Sequence, residues 1–316
     1  MAFMRDMTSP AAPAPEITYR RARMEDAERT FEIVQEAQGD LDRSMGREPH
    51  AALPAARVIR FRHFCVRCDG DRFWVAEAGG RMVAAGYATL RDDVWYLGAL
   101  HVLTEFQSRK VGSELIGRCL TGTGPQTALT VLTDASNPAS NGLYLRFGML
   151  SQDSTLSFDG PIRTATSTET AAAPLVARPI DLERDAPALA GFDLATVGFA
   201  RPTDHEFWLG VPGLNGRIVE RDGSARGYVY VSDAGAIGPI AVARADDLPP
   251  ALDVAADIAA AGGAASLHVR TFGSSRGSVG WAVDRGLRLS GIGLMLSSRP
   301  VGRFEGYVTS GADALY

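Results

Sequence analysis

A chain of 316 residues with 46% hydrophobic and 22% charged content is long enough to bury two ordinary cores. A formal charge of -5, with no Lys/Arg run of five, excludes a basic stripe for nucleic acid. Three cysteines cannot form an even disulfide framework, and no stretch nears the roughly eighteen apolar residues of a membrane span, so a cytoplasmic protein without leader or membrane contact is expected.

Residues 1–15, rich in Pro and Ala from Met7 onward, offer nothing large to bury and predict a disordered arm. A strand at Ile17–Arg20 is followed by a helix from Met24, with Ala27, Phe31 and Val34 recurring at three or four residues. Residues 39–72, which carry Pro49 and Pro54, form a long variable region that is expected to hold a second short helix and to shape a binding site. Phe73–Glu77, Gly79-Gly80 and Arg81–Leu90 read as a hairpin. The next strand ends near Val102, and an amphipathic helix starts near Arg109, with Val111, Leu115, Ile116, Cys119 and Leu120 for its buried face. A strand, a helix and a last strand complete a first unit over 16–160.

The small, polar, proline-bracketed stretch at 161–173 reads as a linker. The same order of elements then recurs over 174–302, as internal duplication predicts. Leu97-Gly-Ala-Leu-His-Val matches Ile237-Gly-Pro-Ile-Ala-Val at an offset of 140 (237 minus 97), and Gly148 matches Gly286 at 138 (286 minus 148). Residues 303–316 form a tail, for which packing through Phe304 and Tyr307 and fraying both stay open. The fold class expected is α/β: two tandem copies of a mixed, mostly antiparallel sheet flanked by helices.

The strongest chemical signal is Leu100-His-Val-Leu-Thr-Glu-Phe-Gln107-Ser108-Arg109-Lys110-Val111-Gly112-Ser113. A helix opening here presents unpaired N–H groups and the positive end of its dipole, so its first turn can receive a pyrophosphate. Gly112 lets backbone approach the anion, Arg109 and Lys110 add charge, and the Ser113 hydroxyl adds a donor. The segment resembles the cofactor loop of the GNAT superfamily of N-acetyltransferases, Gln/Arg-x-x-Gly-x-Gly/Ala, with Lys110 where the first glycine stands. Asn137-Pro-Ala-Ser140-Asn-Gly-Leu-Tyr144-Leu-Arg-Phe-Gly148 resembles the family's Asn-x-x-Ala-x-x-Leu-Tyr-x-x-x-Gly, so the likeness spans about residues 17–158.

The resemblance implies acetyl-CoA as acyl donor, held by Leu100, His101 and Val102 along the strand, by 107–113 in the loop, and by Asn137 and Ser140. It implies direct attack of a small-molecule primary amine on the thioester, with Tyr144 protonating the thiolate and strand N–H groups meeting the oxyanion. Relatives take a base from positions corresponding to Tyr96 and Gly98. Tyr96 therefore acts through water or lines the acceptor pocket, Asp93 and Asp134 are spare carboxylates, and His101 has a core role or a catalytic one. The mild acidity of the chain leans toward a cationic acceptor.

Cys65 and Cys68, near His63, are half a zinc site without a second pair, so buried thiols and no metal are expected, with Cys119 in the core. The second copy offers Asp246, Asp247, Pro249 and Pro250 where the loop should be and Trp281 in place of Tyr144, so it reads as degenerate. It is expected to pack on the first copy as half of a pseudo-dimer, in a monomer or a homodimer. A non-catalytic acyl-CoA sensor, a larger acyl group, or a protein amine as acceptor remain alternatives.

Overall fold

The computed structural model describes residues 15–48, 54–163 and 173–310. Except for Pro15, the predicted arm lies outside these residues, as does most of the linker. The first copy runs β1 (Ile17–Arg21), α1 (Ala27–Ser44), α2 (Ala55–Asp69), β2 (Phe73–Ala78), β3 (Arg81–Arg91), β4 (Val94–Val102), α3 (Val111–Cys119), β5 (Ala128–Asp134), α4 (Pro138–Arg146) and β6 (Leu150–Pro161). The second repeats this as β7 (Val176–Pro179), α5 (Leu182–Thr196), α6 (Pro202–Leu209), β8 (Leu214–Arg221), β9 (Ser224–Ser232), β10 (Ala236–Val242), α7 (Leu248–Ala261), β11 (Ser266–Phe272), α8 (Arg276–Asp284) and β12 (Arg288–Ser297). One further strand, β13 (Tyr307–Val308), follows.

The duplication is visible in a half-buried ion triad. Arg20 on β1 pairs with Asp26 and Glu77, both at 2.7 Å, and Arg178 on β7 pairs with Asp185 and Glu220, again at 2.7 Å. These triads set the correspondence of the copies at an offset of 158 in the first strand (178 minus 20), 159 from the start of the first helix (185 minus 26) and 143 at the second strand (220 minus 77).

The two expected sheets are one. Among the described residues thirteen strands run in the order β1-β2-β3-β4-β5-β12-β6-β11-β13-β10-β9-β8-β7. Each copy's last long strand has crossed over: β12 pairs with β5 of the first copy, β6 pairs with β11 of the second, and β6 and β12 pair with each other. The ranges 16–160 and 174–302 are therefore interlocked rather than separately closed, because without β12 the outer edge of β5 would be unpaired. The tail is not a separate piece either, since β13 is a strand of the sheet.

Local chemistry accounts for most elements. Gly79 and Gly80, at φ 57° and 80°, turn the β2–β3 hairpin in the left-handed region. Asn137 caps α4 by accepting from the Ser140 N–H at 3.2 Å, with Pro138 in the first turn. The buried face of α1 is rotated from the expected one: Ala27, Thr30, Ile33 and Ala37 face inward, whereas Phe31 and Val34 are half-buried at its margin. The variable region holds α2, a full fifteen residues, on which Cys65 is buried and Cys68 exposed, contrary to the expectation of two buried thiols.

One core cluster crosses between the copies on the α1/α2 side, from Phe61, Phe64, Tyr87 and Tyr96 to Trp208, Tyr228 and Tyr230. Phe64 and Phe207, related by the offset of 143, stack at 4.4 Å between ring centroids. Arg91 bridges Asp69 at 3.0 Å and Asp204 of the second copy at 2.7 Å, all three largely buried. No helix among the described residues is long and apolar enough to cross a membrane.

Candidate active site

Strands β4 and β5 run parallel and pair from Val94↔Ala128 to Leu97↔Val131, and then part. Beyond that point β4 continues to Val102 while paired to β3 on its other side. The edge from Gly98 to Val102 that faces β5 thus leaves the ladder and frees backbone donors and acceptors in a fork. Gly98 is a bulge, since Tyr87 pairs with Ala99 but Ala88 with Leu97. The bulge puts Tyr96, Ala99 and His101 on the α1/α2 face, and Leu97, Leu100 and Val102 on the α3 face.

At the mouth of the fork, α3 begins at Val111, two residues later than expected. Its first helical bond runs from Glu114 N–H to Lys110 C=O at 3.0 Å, so the N–H groups of Val111, Gly112 and Ser113 have no helical acceptor. Lys110 sits at φ 65° and Ser108 at φ 62°, left-handed positions that glycine adopts without strain. Lys110 therefore keeps the backbone of the residue it replaces and leaves its exposed ammonium at the helix mouth. Gly112 packs closely against α4: an added Cβ would lie 3.2 Å from Leu143 Cδ2 and 3.6 Å from Leu100 Cδ2.

Several residues assigned to the cofactor from sequence hold the protein itself together. Gln107 Nε2 donates to the Val102 carbonyl at 3.1 Å and staples the loop to the strand. Arg109 donates to the Pro15 carbonyl at 2.9 Å and lies 5.4 Å from the Phe106 ring centroid. Its guanidinium is committed to the start of β1 rather than to the helix mouth. Asn137 is a cap, and Ser140, besides being capped by it, hydrogen-bonds the Tyr144 side chain.

Tyr144 is the one buried residue of α4 and packs in the cluster that contains Leu97 and Val131, the last pair before the fork. Burial pushes its phenol up to about 12, against a smaller opposing effect of the Ser140 hydrogen bond, so it stays protonated and able to donate. The candidate carboxylate bases fare worse. Asp93 sits exposed at the opposite end of β4, before the paired stretch. Asp134 is partly desolvated, which raises its pKa, but hydrogen bonds from Ser136 and the ion pair with Arg47 at 2.9 Å outweigh this and hold it below the usual carboxylate range. It is a weak base tied to a cation. His101 is driven down to about 4 by burial and by the nearby Arg62 charge, so its imidazole is neutral. Tyr96 is 5% exposed, on the α1/α2 face with His101.

The second copy has the same frame with its fork closed. Strand β10 pairs with β11 only at Ala236↔His268 and Ile237↔Val269, and β13 then enters between them, with Val308 opposite both Ile240 and Thr271. Helix α7 opens with Asp247 as its cap and with Pro249 and Pro250 in its first turn, residues that have no N–H to give. The Asp247 carboxylate pairs with Arg221 there. Helices α4 and α8 correspond at an offset of 138 (276 minus 138), so the place of Tyr144 is taken by the buried Ala282, not by Trp281 as expected; Trp281 stands where Leu143 does and donates its N–H to Asp253 at 2.6 Å. A cleft of about 760 Å³ lined by Thr196, Gly198, Val242, Arg303 and Glu305 lies in this copy, away from the first copy's fork and loop.

Among the described residues no cluster of His, Cys, Asp and Glu fits a metal ion. Sequence reading missed Arg62. Helix α2 also carries Arg57, Arg60 and Arg67, and nothing local marks which of them is buried.

Residues 32–149 match the family described as Acetyltransferase (GNAT) family. Among solved structures, one from Pyrococcus horikoshii described as an acetyltransferase shares 15% identity with a TM-score of 0.72, covering 99% of both chains. A GCN5-related N-acetyltransferase from Sphaerobacter thermophilus shares 13%, covering 92% of this chain and 98% of its own, with a TM-score of 0.63. A tandem GNAT protein from the clavulanic acid biosynthesis pathway shares 15%, covering 90% and 99%, with a TM-score of 0.61. At such identities the likeness establishes the fold. No curated protein sequence matches the chain.

Proposed function

We propose, from the match of residues 32–149 to the GNAT acetyltransferase family, that the first copy transfers an acetyl group from acetyl-CoA to the primary amine of a small molecule. The observation that carries this reading is the contrast between the two forks. The first is open, beside a helix with three free N–H groups; the second is filled by β13 and faces a helix that opens on prolines and a carboxylate.

The pyrophosphate is to be held by the N–H groups of Val111, Gly112 and Ser113 with the Ser113 hydroxyl and Lys110. The freed edge of β4 from Leu100 to Val102 is to pair with the pantetheine arm and to donate to the developing oxyanion. As the amine N–C bond forms and the thioester C–S bond breaks, the amine proton leaves to water and Tyr144 protonates the departing thiolate. With Asp93 remote and Asp134 ion-paired, the proton route runs through water, and Tyr96 lines the acceptor side.

The test is thiol release from acetyl-CoA over a panel of amines, with Tyr144→Phe in parallel. The variant is expected to lose on the order of 10²-fold in kcat with little change in KM for acetyl-CoA. Full activity would remove Tyr144 as the acid.

A further inference from the structure

The pseudo-symmetry of the chain exposes an imbalance of charge. The offset of 143 that relates Glu77 to Glu220 also carries Arg62 onto His205 and Tyr87 onto Tyr230, and the offset of 159 carries Val34 onto Asp193. In the second copy these positions satisfy one another. His205 reaches Asp193 at 2.9 Å and Tyr230 at 2.8 Å, and Asp193 also accepts from Arg201 at 3.0 Å and Tyr228 at 2.6 Å. All five residues are essentially buried.

In the first copy the cation is there and the carboxylate is not. Arg62 is 5% exposed and lies 4.6 Å from the centroid of the Tyr87 ring, yet its Nε and Nη1 have no hydrogen-bond partner among the described residues. The Nδ1 of His101, on the same face, is likewise buried and unpartnered. Where the second copy supplies Asp193, the first has the aliphatic Val34. A buried guanidinium with open donors is costly unless an anion completes it.

We propose that Arg62, with His101 beside it, receives the carboxylate of the acceptor, so that the substrate is an amine that also carries a carboxylate, as an amino acid does. The proposal rests on the amine-acetylation reading above. The local charge favours this class: one guanidinium and one neutral imidazole match a singly charged carboxylate better than a doubly charged phosphate, and they reverse the lean toward a purely cationic acceptor that net charge suggests. The position suits it as well. Arg62 packs over Tyr87 on β3, and His101 stands on β4 within the fork, so a carboxylate there holds its own amine near the strand edge proposed to meet the thioester.

The experiment pairs free amino acids with their α-amides, using the full chain and acetyl-CoA. It reads thiol release and, separately, the shift in thermal unfolding caused by the acceptor alone. The acids are expected to be used with KM on the order of 10²-fold below that of the amides. Arg62→Met should raise the KM for the acids to the amide level with KM for acetyl-CoA unchanged, and Arg62→Lys should recover part of the loss. Amides used as well as acids, or an Arg62→Met change below about threefold, overturns the proposal and leaves packing on Tyr87 as the whole role of Arg62. Absence of acetyl-CoA binding strikes the cofactor reading instead. The unfolding arm then still decides: acids that stabilise the parent but not Arg62→Met support the carboxylate site, and acids that stabilise neither or both overturn it.

Discussion

His101 shows how one side chain links fold and pH. Its ordinary value of 6.5, kept in the unfolded chain, falls to about 4 when burial and the Arg62 charge act on it. Between those values the unfolded chain binds a proton that the folded chain refuses, so the folded state loses stability as pH drops from about 6.5 toward 4. His101→Gln, which cannot titrate, should lose less stability than the parent between about pH 7 and about pH 4.5 in urea unfolding. Equal acid losses in the two proteins would place His101 in a solvated setting. Lys110 makes the opposite point. It occupies a left-handed position that costs it energy, which is the kind of local strain expected where a loop is shaped for a ligand.

At the scale of elements, the β4–loop–α3 segment was legible because its signals are local: a strand, a loop with Gln107, and a helix whose apolar spacing reappears as the buried Val111, Leu115, Ile116 and Cys119. The failed loop of the second copy was legible too, through Asp246, Asp247 and the two prolines. Strand β13 was not, because Phe304 and Tyr307 are aromatic residues with no period, and only the fork between β10 and β11 explains their burial. Phe304 stacks on Phe272 at 3.8 Å, and Tyr307 is fully buried. Truncation after Arg303 should therefore cost several kcal/mol, about 1.5–3 for each large side chain lost, read as a lower Tm. It should not create a second acetyl-CoA site, because Pro249 and Pro250 still lack N–H groups. An unchanged Tm would deny β13 its structural role, and a second site would deny the degeneracy of α7.

For the whole molecule, the sequence reading found two copies but not their interlock. Strands β6 and β12 have the same length class and alternation wherever they pair, so nothing in their residues distinguishes pairing within a copy from exchange between copies. Arg62 escaped for a related reason: it is buried over Tyr87 of β3, a contact that no local pattern in α2 announces. The consequence is a molecule in which one half supplies the open fork while the other closes its own and completes the first half's sheet. The most direct measurement is calorimetric titration of the full chain with acetyl-CoA, in the parent and in Ser113→Asp, which places a carboxylate where the pyrophosphate is to sit and which the N-terminus of α3 tolerates. One site per chain, weakened on the order of 10²-fold or more in Ser113→Asp without loss of Tm, is the predicted result. Two sites per chain, none, or one that ignores Ser113→Asp would contradict it.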